Sequence, residues 1–287
     1  TTHDFTFLSQ VEELNLSLFG WTSEQSNVRL KTNVLLKGKM RNLEHIDVSE
    51  FEITNNKNEY QFDDFSFNVQ KSKNKNRIAM NSSDVMDFSF HGDFLYSNIP
   101  LLIESAIKEA FLIPYKPSLQ KVEFFAFDFV LKDKLLKALY PNVISPEDIR
   151  LNGMIHSQLG QSFFEFDLPF IQFNGYNFES ISLKFMGDNP VLLSRFSAKK
   201  VYGNSFYFSK INLDTKNIDN ALSGSLSALY GPSDKDSLSI DFLYSQANDH
   251  SLFEIIQTQF QLGGENWRLA SKKKPVLSFD YLTNEIS

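Results

Sequence analysis

Residue types that carry out catalysis or bind metals are scattered along this 287-residue chain. Its five histidines are more than 40 residues apart, and none forms an i, i+4 pair or a His-Glu-x-x-His motif. The chain has no cysteine, which removes thiolate nucleophiles, disulfides and cysteine-ligated zinc. We therefore expect neither a metal site nor a cofactor.

The carboxylates and serines do not form a catalytic motif either. Asp128, Asp167 and Asp241 alternate with apolar residues, which is typical of the wet side of a strand. Ser223-Gly224-Ser225 is the nearest approach to a nucleophile motif, but it lacks the strand-to-helix context of a nucleophile elbow. A glycosidase-like carboxylate pair from distant strands is the enzymatic alternative. We predict that the protein is not an enzyme.

The amino-acid composition instead indicates that the function lies in apolar surface. The chain has 29 phenylalanines against 2 tryptophans and 10 tyrosines. A phenylalanine ring is large and has no polar atom, so this many rings must be buried in a core, against a partner or against an apolar ligand. The net charge of -7 argues against nucleic acid as a partner. No apolar run is long enough to predict a transmembrane helix.

Alternation of apolar and polar residues is the dominant pattern and predicts antiparallel strands with one wet face. It occurs at 28–37, 65–69, 125–129, 164–168, 181–185, 238–242 and 277–281, with turn signals such as Gly231-Pro232 and Gly263-Gly264 between the runs. Repeated use of phenylalanine favours a curled, open sheet whose apolar side holds an acyl chain, although a closed sandwich core is the simpler alternative. The residues expected to line this groove are Phe65, Phe67, Phe125, Phe127, Phe129, Phe164, Phe166, Phe242 and Phe279.

Two segments have helical spacing. An amphipathic helix is predicted from Ile99 to Ile113, where Pro100 lies in the first turn and Pro114 ends the helix. We expect it to cover a sheet edge or one end of the apolar face, with a functional lid as the alternative. A second, short helix is predicted from Asp133 to Tyr140. The expected organisation is a groove section at 1–97, a helical insertion at 98–117 and a continuing groove section at 118–287, all in one elongated domain.

Several stretches resemble the TamB branch of the AsmA-like proteins, especially the versions from Bacteroidetes-type bacteria. The resemblance is carried by 36–40, 51–53, 65–67, 78–84 and 88–94, followed by a helix and Pro114. Asn152, Gly153 and Trp267-Arg268-Leu269 fit the same layout. It covers most of the chain and is a pattern of spacing and residue class, without a catalytic motif.

The resemblance implies an elongated, mostly β, antiparallel curled sheet, called a β-taco groove. Such proteins are anchored in the inner membrane, cross the periplasm and meet an Omp85-family outer-membrane barrel. They are implicated in moving phospholipid and in outer-membrane assembly. This chain, which begins without Met or a signal peptide, is then expected to be an interior, periplasmic section that contacts phospholipid acyl chains.

Two other functions stay open at this stage. One is an interaction or chaperone module that binds outer-membrane protein strands by β-augmentation at a sheet edge. The other is a carbohydrate-binding or surface-binding module, which the low tryptophan content makes the weakest of the three.

Overall fold

A computed structural model describes most of the chain. The described residues are 4–15, 28–39, 42–55, 58–72, 75–80, 84–95, 98–110, 123–140, 143–144, 147–157, 161–188, 191–218, 221–246, 250–268, 275–280 and 285–286. Side chains within a few of these ranges, including 105–110 and 278–280, are outside the description.

The fold is mostly β, and its sheet is antiparallel and not closed. In the first half the strands are β1 (Asp4–Asn15), β2 (Arg29–Lys39), β3 (Asn42–Thr54), β4 (Glu59–Gln61), β5 (Phe65–Ser72), β6 (Lys75–Met80), β7 (Met86–Asp93), β8 (Phe124–Leu131), β9 (Val143–Ile144) and β10 (Ile149–His156). In the second half they are β11 (Ser162–Phe173), β12 (Tyr176–Asp188), β13 (Val191–Tyr202), β14 (Tyr207–Ile218), β15 (Ala221–Tyr230), β16 (Asp236–Gln246), β17 (His250–Leu262), β18 (Glu265–Arg268), β19 (Val276–Asp280) and β20 (Glu285–Ile286). The helices are α1 (Ile99–Ala110) and α2 (Asp133–Leu139). The predicted fold class, a mostly β antiparallel sheet with two short helices, is confirmed.

The Cα positions divide the chain into two compact units. Unit 1 comprises 1–95, 123–153 and 168–174, and unit 2 comprises 96–122, 154–167 and 175–287. The predicted division at 97 and 117 within one continuous domain stays a prediction. We describe each unit by itself.

In unit 1, antiparallel pairing joins β1 to β2, β2 to β3, and β3 to both β4 and β5. The ladder continues from β5 through β6 and β7 to β8. Strands with period-2 alternation place all their apolar side chains on one face, so one face of this ladder is apolar. Thr32 of β2 and Val28, which directly precedes β2, are buried on that side, while Arg29 and Lys31 are exposed on the other.

Unit 2 contains a meander in which each strand from β12 to β17 pairs with the next along the chain. The predicted turn at Gly263-Gly264 joins β17 to β18, and both glycines have positive φ, 59° and 87°. Positive φ at both central residues is what a type I′ hairpin turn requires, and glycine adopts it without a steric penalty. This turn follows directly from its sequence.

Four of the described ladders contain an extra residue in one strand. In unit 1 the register shifts between Val11 and Leu14 in the β1–β2 pair, and at Lys31/Asn33 and Lys37/Gly38 in β2–β3. In unit 2 it shifts between Ser209 and Asn212 in β14–β15 and between Asp241 and Phe242 in β16–β17. Glu50 and Lys210, beside two of these shifts, have positive φ. Bulges of this kind bend a strand and increase its local twist.

Both predicted helices are present, and α2 ends within one residue of its predicted limit. Helix α1 begins at Ile99 as predicted and is described to Ala110, so its predicted end at Ile113 lies outside the described residues. Its Leu102 is fully buried. None of the described helices has both the length and the apolarity needed to cross a membrane.

Candidate ligand-binding surface

The apolar face of unit 1 consists of rows of side chains that run across the strands. Residues directly opposite each other in a ladder lie on the same face, so the registers define these rows. One row joins Phe7, Leu36, Ile46, Phe67 and Met80 across five strands. It shows that a single apolar surface extends from β1 to β6.

A chain of phenylalanine rings in mutual contact crosses this face, and we call it the phenylalanine ladder. Ring centroids are 5.5 Å apart between Phe51 and Phe65, 5.8 Å between Phe65 and Phe67, and 6.2 Å between Phe67 and Phe88. Most of these contacts are edge-to-face, a geometry that aromatic rings favour. The ladder is made up of Phe51, Phe62, Phe65, Phe67, Phe88, Phe90, Phe94, Phe125, Phe127 and Phe129.

Helix α2 covers one end of the apolar face. Leu135 and Ala138 are buried in one cluster with Val28, Ile53 and Phe62, at the ends of β3, β4 and β5. The sequence led us to expect a covering role for the longer helix that begins at Ile99. In unit 1 the covering element is the shorter helix, α2.

Ionic contacts fasten α2 at its first turn. The Lys132 ammonium lies 2.8 Å from a carboxylate oxygen of Asp87 and 3.2 Å from one of Asp148, and Lys134 pairs with Asp84. The hydrogen bond to Asp87 raises the pKa of Lys132; partial burial opposes the rise and Asp148 adds to it. The lysine is therefore held in its charged form at neutral pH.

The C-terminal end of α2 is held by a buried side chain. Asn55, 5% exposed, donates from its amide nitrogen to the carbonyl oxygen of Ala138 at 3.0 Å and to that of Lys137 at 3.4 Å. The last carbonyls of a helix have no partner within the helix, so such donors stabilise its end. Both ends of α2 are thus attached to the sheet.

On the polar face of unit 1, His45 lies in a hydrogen-bonded group. Its Nδ1 is 2.8 Å from the side-chain oxygen of Asn68 and its Nε2 is 2.5 Å from a carboxylate oxygen of Asp47, which also accepts from Lys37 at 3.0 Å. Partial burial opposes ionisation of Asp47, but its bonds to Lys37 and His45 outweigh this effect and lower its pKa. Both ring nitrogens of His45 thus have hydrogen-bond partners on neighbouring strand positions.

The apolar face of unit 2 contains a row with small residues in its centre. The row runs through Phe185, Ser194, Thr215, Gly224 and Phe242 on five neighbouring strands. The Ser194 and Thr215 hydroxyls are 2.5 Å apart and satisfy each other.

Two stacked pairs of rings flank these small residues. Phe185 is 1% exposed and stacks on Phe164, with centroids 4.7 Å apart. Phe242 stacks on Phe253 at 5.0 Å. A Cβ added to Gly224 would lie 2.2 Å from Cζ of Phe242, so this ring lies directly over the glycine. The absence of a side chain at Gly224 is what lets Phe242 lie against the sheet.

The opposite face of unit 2 has an open cavity of about 470 Å³. It is lined by neighbouring polar-face residues such as Lys184, Arg195 and Asp214, together with exposed Met186 and Leu193. Arg195 and Asp214 are bonded to each other at 2.5 Å, and Lys184 pairs with Glu165. These charged groups are already paired with neighbouring side chains of the sheet, so the cavity is a weaker candidate for ligand binding than the apolar faces.

The structure distributes the nine predicted groove residues between the units. Five of them, Phe65, Phe67, Phe125, Phe127 and Phe129, belong to the phenylalanine ladder of unit 1. Phe164, Phe166 and Phe242 lie on strands of unit 2, each partly buried. The side chain of Phe279 lies outside the described residues.

Several members of the phenylalanine ladder were not among the predicted groove residues. Phe88 and Phe90 follow the same alternation as the selected residues, so the same signal identifies them. Phe62 lies between β4 and β5, outside any alternating run, and is placed by a hydrogen bond from its N–H to the carbonyl of Phe51 at 2.9 Å. No periodic pattern could have indicated that position.

Within the described part of the chain, no cluster of three or more histidine or carboxylate side chains is arranged to hold a metal ion. Comparison with known proteins gives no further guide, because no protein-family model, no curated protein and no solved structure matches this chain.

Proposed function

We propose that this chain is an interior segment of a periplasm-spanning hydrophobic β groove. It holds or conducts phospholipid between the inner and outer membranes and supports outer-membrane assembly. The observation that carries the proposal is the phenylalanine ladder of unit 1, an uninterrupted apolar surface on one side of an open antiparallel sheet. The resemblance to TamB-like proteins agrees with this function.

The physical basis is the transfer of acyl chains out of water. Burying one methylene group stabilises a complex by about 0.8 kcal/mol, so even part of an acyl chain against such a surface gives useful affinity. Phe67, Phe88, Phe90 and Phe127 are only partly buried, so their rings have surface to offer a ligand. Phenylalanine has no hydrogen-bonding atom, which suits it to hold chains of varied length without fixing their position.

The resemblance to TamB-like proteins supplies the cellular context of the proposed function. The parent protein is anchored in the inner membrane and meets an Omp85-family barrel, and this section lies in the periplasm. Its chemistry is binding without catalysis, and the net charge of -7 argues against nucleic acid as a partner. Phospholipid acyl chains are the ligand.

Native mass spectrometry with lipid extraction tests the proposal. We expect phospholipid to co-purify with the chain and to be reduced at least tenfold in Phe127→Asn, a partly buried ladder residue. The matched control is Phe173→Asn, since Phe173 is 46% exposed and lies outside the ladder. Circular dichroism establishes that both variants fold. A lipid-free mass for the folded chain without substitutions, or equal amounts of lipid in both variants, would reject the proposed groove.

A further inference from the structure

The apolar face of unit 2 becomes charged at one end of strands β12 to β14. Along β13, Phe196, Ala198 and Lys200 alternate and therefore lie on one face. Ala198 is 2% exposed, and its partners in register on both neighbouring strands are isoleucines. Two residues further along, Lys200 lies opposite Glu179 of β12 and Ser209 of β14. The surface thus changes from apolar to charged within one row, as a binding site for an amphiphile requires.

Four side chains make up this charged end, and we call Glu179, Lys200, Tyr202 and Tyr207 the polar cluster. The Lys200 ammonium lies 3.9 Å from a carboxylate oxygen of Glu179 and 5.9 Å from the ring centroid of Tyr207. The ring centroids of Tyr202 and Tyr207 are 5.9 Å apart. The side chains of Lys200 and Glu179 are 36% and 24% exposed, so both charged groups are accessible to a ligand.

The charges of the polar cluster are only loosely paired. The 3.9 Å between Lys200 and Glu179 exceeds the hydrogen-bond range of about 2.7–3.2 Å, whereas Arg195 and Asp214 on the opposite face are 2.5 Å apart. A hydrogen bond with the Tyr207 hydroxyl, together with the Glu179 carboxylate, raises the pKa of Lys200, so its ammonium stays charged at neutral pH. An ammonium only donates, so the Tyr207 oxygen accepts from it and the Tyr207 O–H can itself donate to a ligand.

We propose that the polar cluster binds a phospholipid head that carries a phosphate and a primary ammonium, with the acyl chains along the apolar face. This inference rests on the proposed function and adds the head group that the groove selects. The head phosphate accepts from the Lys200 ammonium and from the Tyr207 O–H, and hydrogen bonds to an anion are stronger than neutral ones. The head ammonium donates to Glu179 and lies against the tyrosine rings, whose faces attract cations.

The presence of both charges selects a zwitterionic head over an anionic one. An anionic head is attracted by Lys200 but brings its charge close to Glu179, whereas a zwitterionic head places an opposite charge against each residue. The nearby pair of Lys210 and Asp234, 4.0 Å apart, is also balanced and adds no net charge. A quaternary ammonium has no N–H to donate, so Glu179 favours a primary one.

The chain contains a matched control on the opposite face. Lys184 of β12 pairs with Glu165 of β11, and Glu165 is 23% exposed against 24% for Glu179. Lys184 alternates with Phe185, so this pair lies away from the apolar face. Both pairs join neighbouring strands. A pair that only fixes strand register has no effect on which lipid is bound, so the two pairs should differ in this property alone.

Competition between two phospholipids with identical acyl chains tests the head group. The full chain is incubated with vesicles of equal parts phosphatidylethanolamine and phosphatidylglycerol and separated from them, and its bound lipid is counted by mass spectrometry. We expect phosphatidylethanolamine to be enriched about fivefold, the ratio that corresponds to a partly exposed charge interaction of about 1 kcal/mol. Glu179→Gln should abolish the enrichment while lipid still binds, and Glu165→Gln should keep it. Circular dichroism establishes that both variants fold.

A water-soluble probe tests the polar cluster without the groove. Glycerophosphoethanolamine has the same head and no acyl chain, so its binding does not depend on the apolar face. In an NMR titration of tyrosine-labelled protein, it should shift the ring signals of Tyr202 and Tyr207, which the variants Tyr202→Phe and Tyr207→Phe assign. Lys200→Met should abolish these shifts, and Lys184→Met should not.

The two measurements separate failure of the head site from failure of the groove. Three results would overturn the inference and leave the groove standing: equal amounts of the two lipids, a preference for phosphatidylglycerol, or an enrichment that survives in folded Glu179→Gln. No bound lipid, together with tyrosine shifts from the soluble probe, would remove the groove and keep the head site. Neither bound lipid nor tyrosine shifts would remove both.

Discussion

Replacing Gly224 by alanine tests whether the ring of Phe242 lies against the sheet. The added Cβ would lie 2.2, 2.6 and 2.7 Å from three ring atoms of Phe242, whereas carbon atoms in contact are normally about 3.5–4.0 Å apart. The ring cannot retreat freely, because it stacks on Phe253 at 5.0 Å. The methyl group therefore forces the stack apart.

The expected cost follows from two opposing effects. Overpacking by one methyl group destabilises a packed site by about 1–3 kcal/mol. Alanine also lowers the conformational entropy of the unfolded chain, which stabilises the folded state by about 0.4–1 kcal/mol where the backbone conformation suits alanine. We expect Gly224→Ala to lower the free energy of unfolding by about 1–2 kcal/mol.

Chemical denaturation of a double-mutant cycle measures this. Phe242→Leu removes the ring, so the double variant should lose at least about 1 kcal/mol less than the sum of the two single variants. Ser223→Ala, an exposed neighbour on the same strand, is the control and should stay within about 0.5 kcal/mol of the parent. A stabilised Gly224→Ala variant, or strictly additive losses, would refute the placement of the ring over the glycine.

Three further predictions concern unit 1. Gly92→Ala should disrupt the β7–β8 ladder and strongly lower the midpoint of unfolding. The added Cβ would lie 2.1 Å from the carbonyl oxygen of Phe124, which belongs to the backbone and cannot move aside as a side chain could. Retained protection of the β8 amides in hydrogen exchange would contradict this. Asn55→Ala should cost about 1–3 kcal/mol in denaturation and should raise exchange selectively in α2, since two carbonyls lose a buried donor; a uniform change would speak against a capping role. Because pairing lowers the pKa of Asp47, its stabilisation is complete above the ordinary aspartate pKa of about 4 and is lost as pH falls through the lower folded value. Denaturation from pH 6 to pH 2 should therefore show an acid-side loss that is smaller in Asp47→Asn by up to about 1 kcal/mol, and an unchanged profile would remove the ion pair as its cause.

Local structure was largely predictable from the sequence because its signals are local. Pro100 in a first turn set the start of α1, and a 3.6-residue spacing bounded by Pro141 set α2 within one residue. Period-2 alternation located the strands and showed which face of each is apolar. These properties depend on neighbouring residues alone.

Placement of these elements in three dimensions was not predictable in the same way. We expected the covering role for the helix that begins at Ile99, but the shorter helix α2 closes the end of the unit 1 face. Its position depends on contacts of Lys132 with Asp87 and Asp148, which are far apart in the sequence and are brought together only by the folded ladder. Gly224 was noted in the sequence only as part of Ser223-Gly224-Ser225, the nearest approach to a nucleophile motif. Its role under Phe242 appears only when β15 and β16 are in register.

Charged residues on the polar faces explain how such repetitive strands choose one register. An alternating apolar strand slipped by two residues still presents the same face to the core, so apolar patterning alone leaves the pairing degenerate. Cross-strand pairs remove this degeneracy, because a two-residue slip in β13 against β14 would separate Arg195 from Asp214 and bring Arg195 opposite Asn212 or Lys216. Each such pair contributes little to stability when exposed. These pairs distinguish one register from the next. The phenylalanine faces therefore need not specify the register and can serve apolar contact alone.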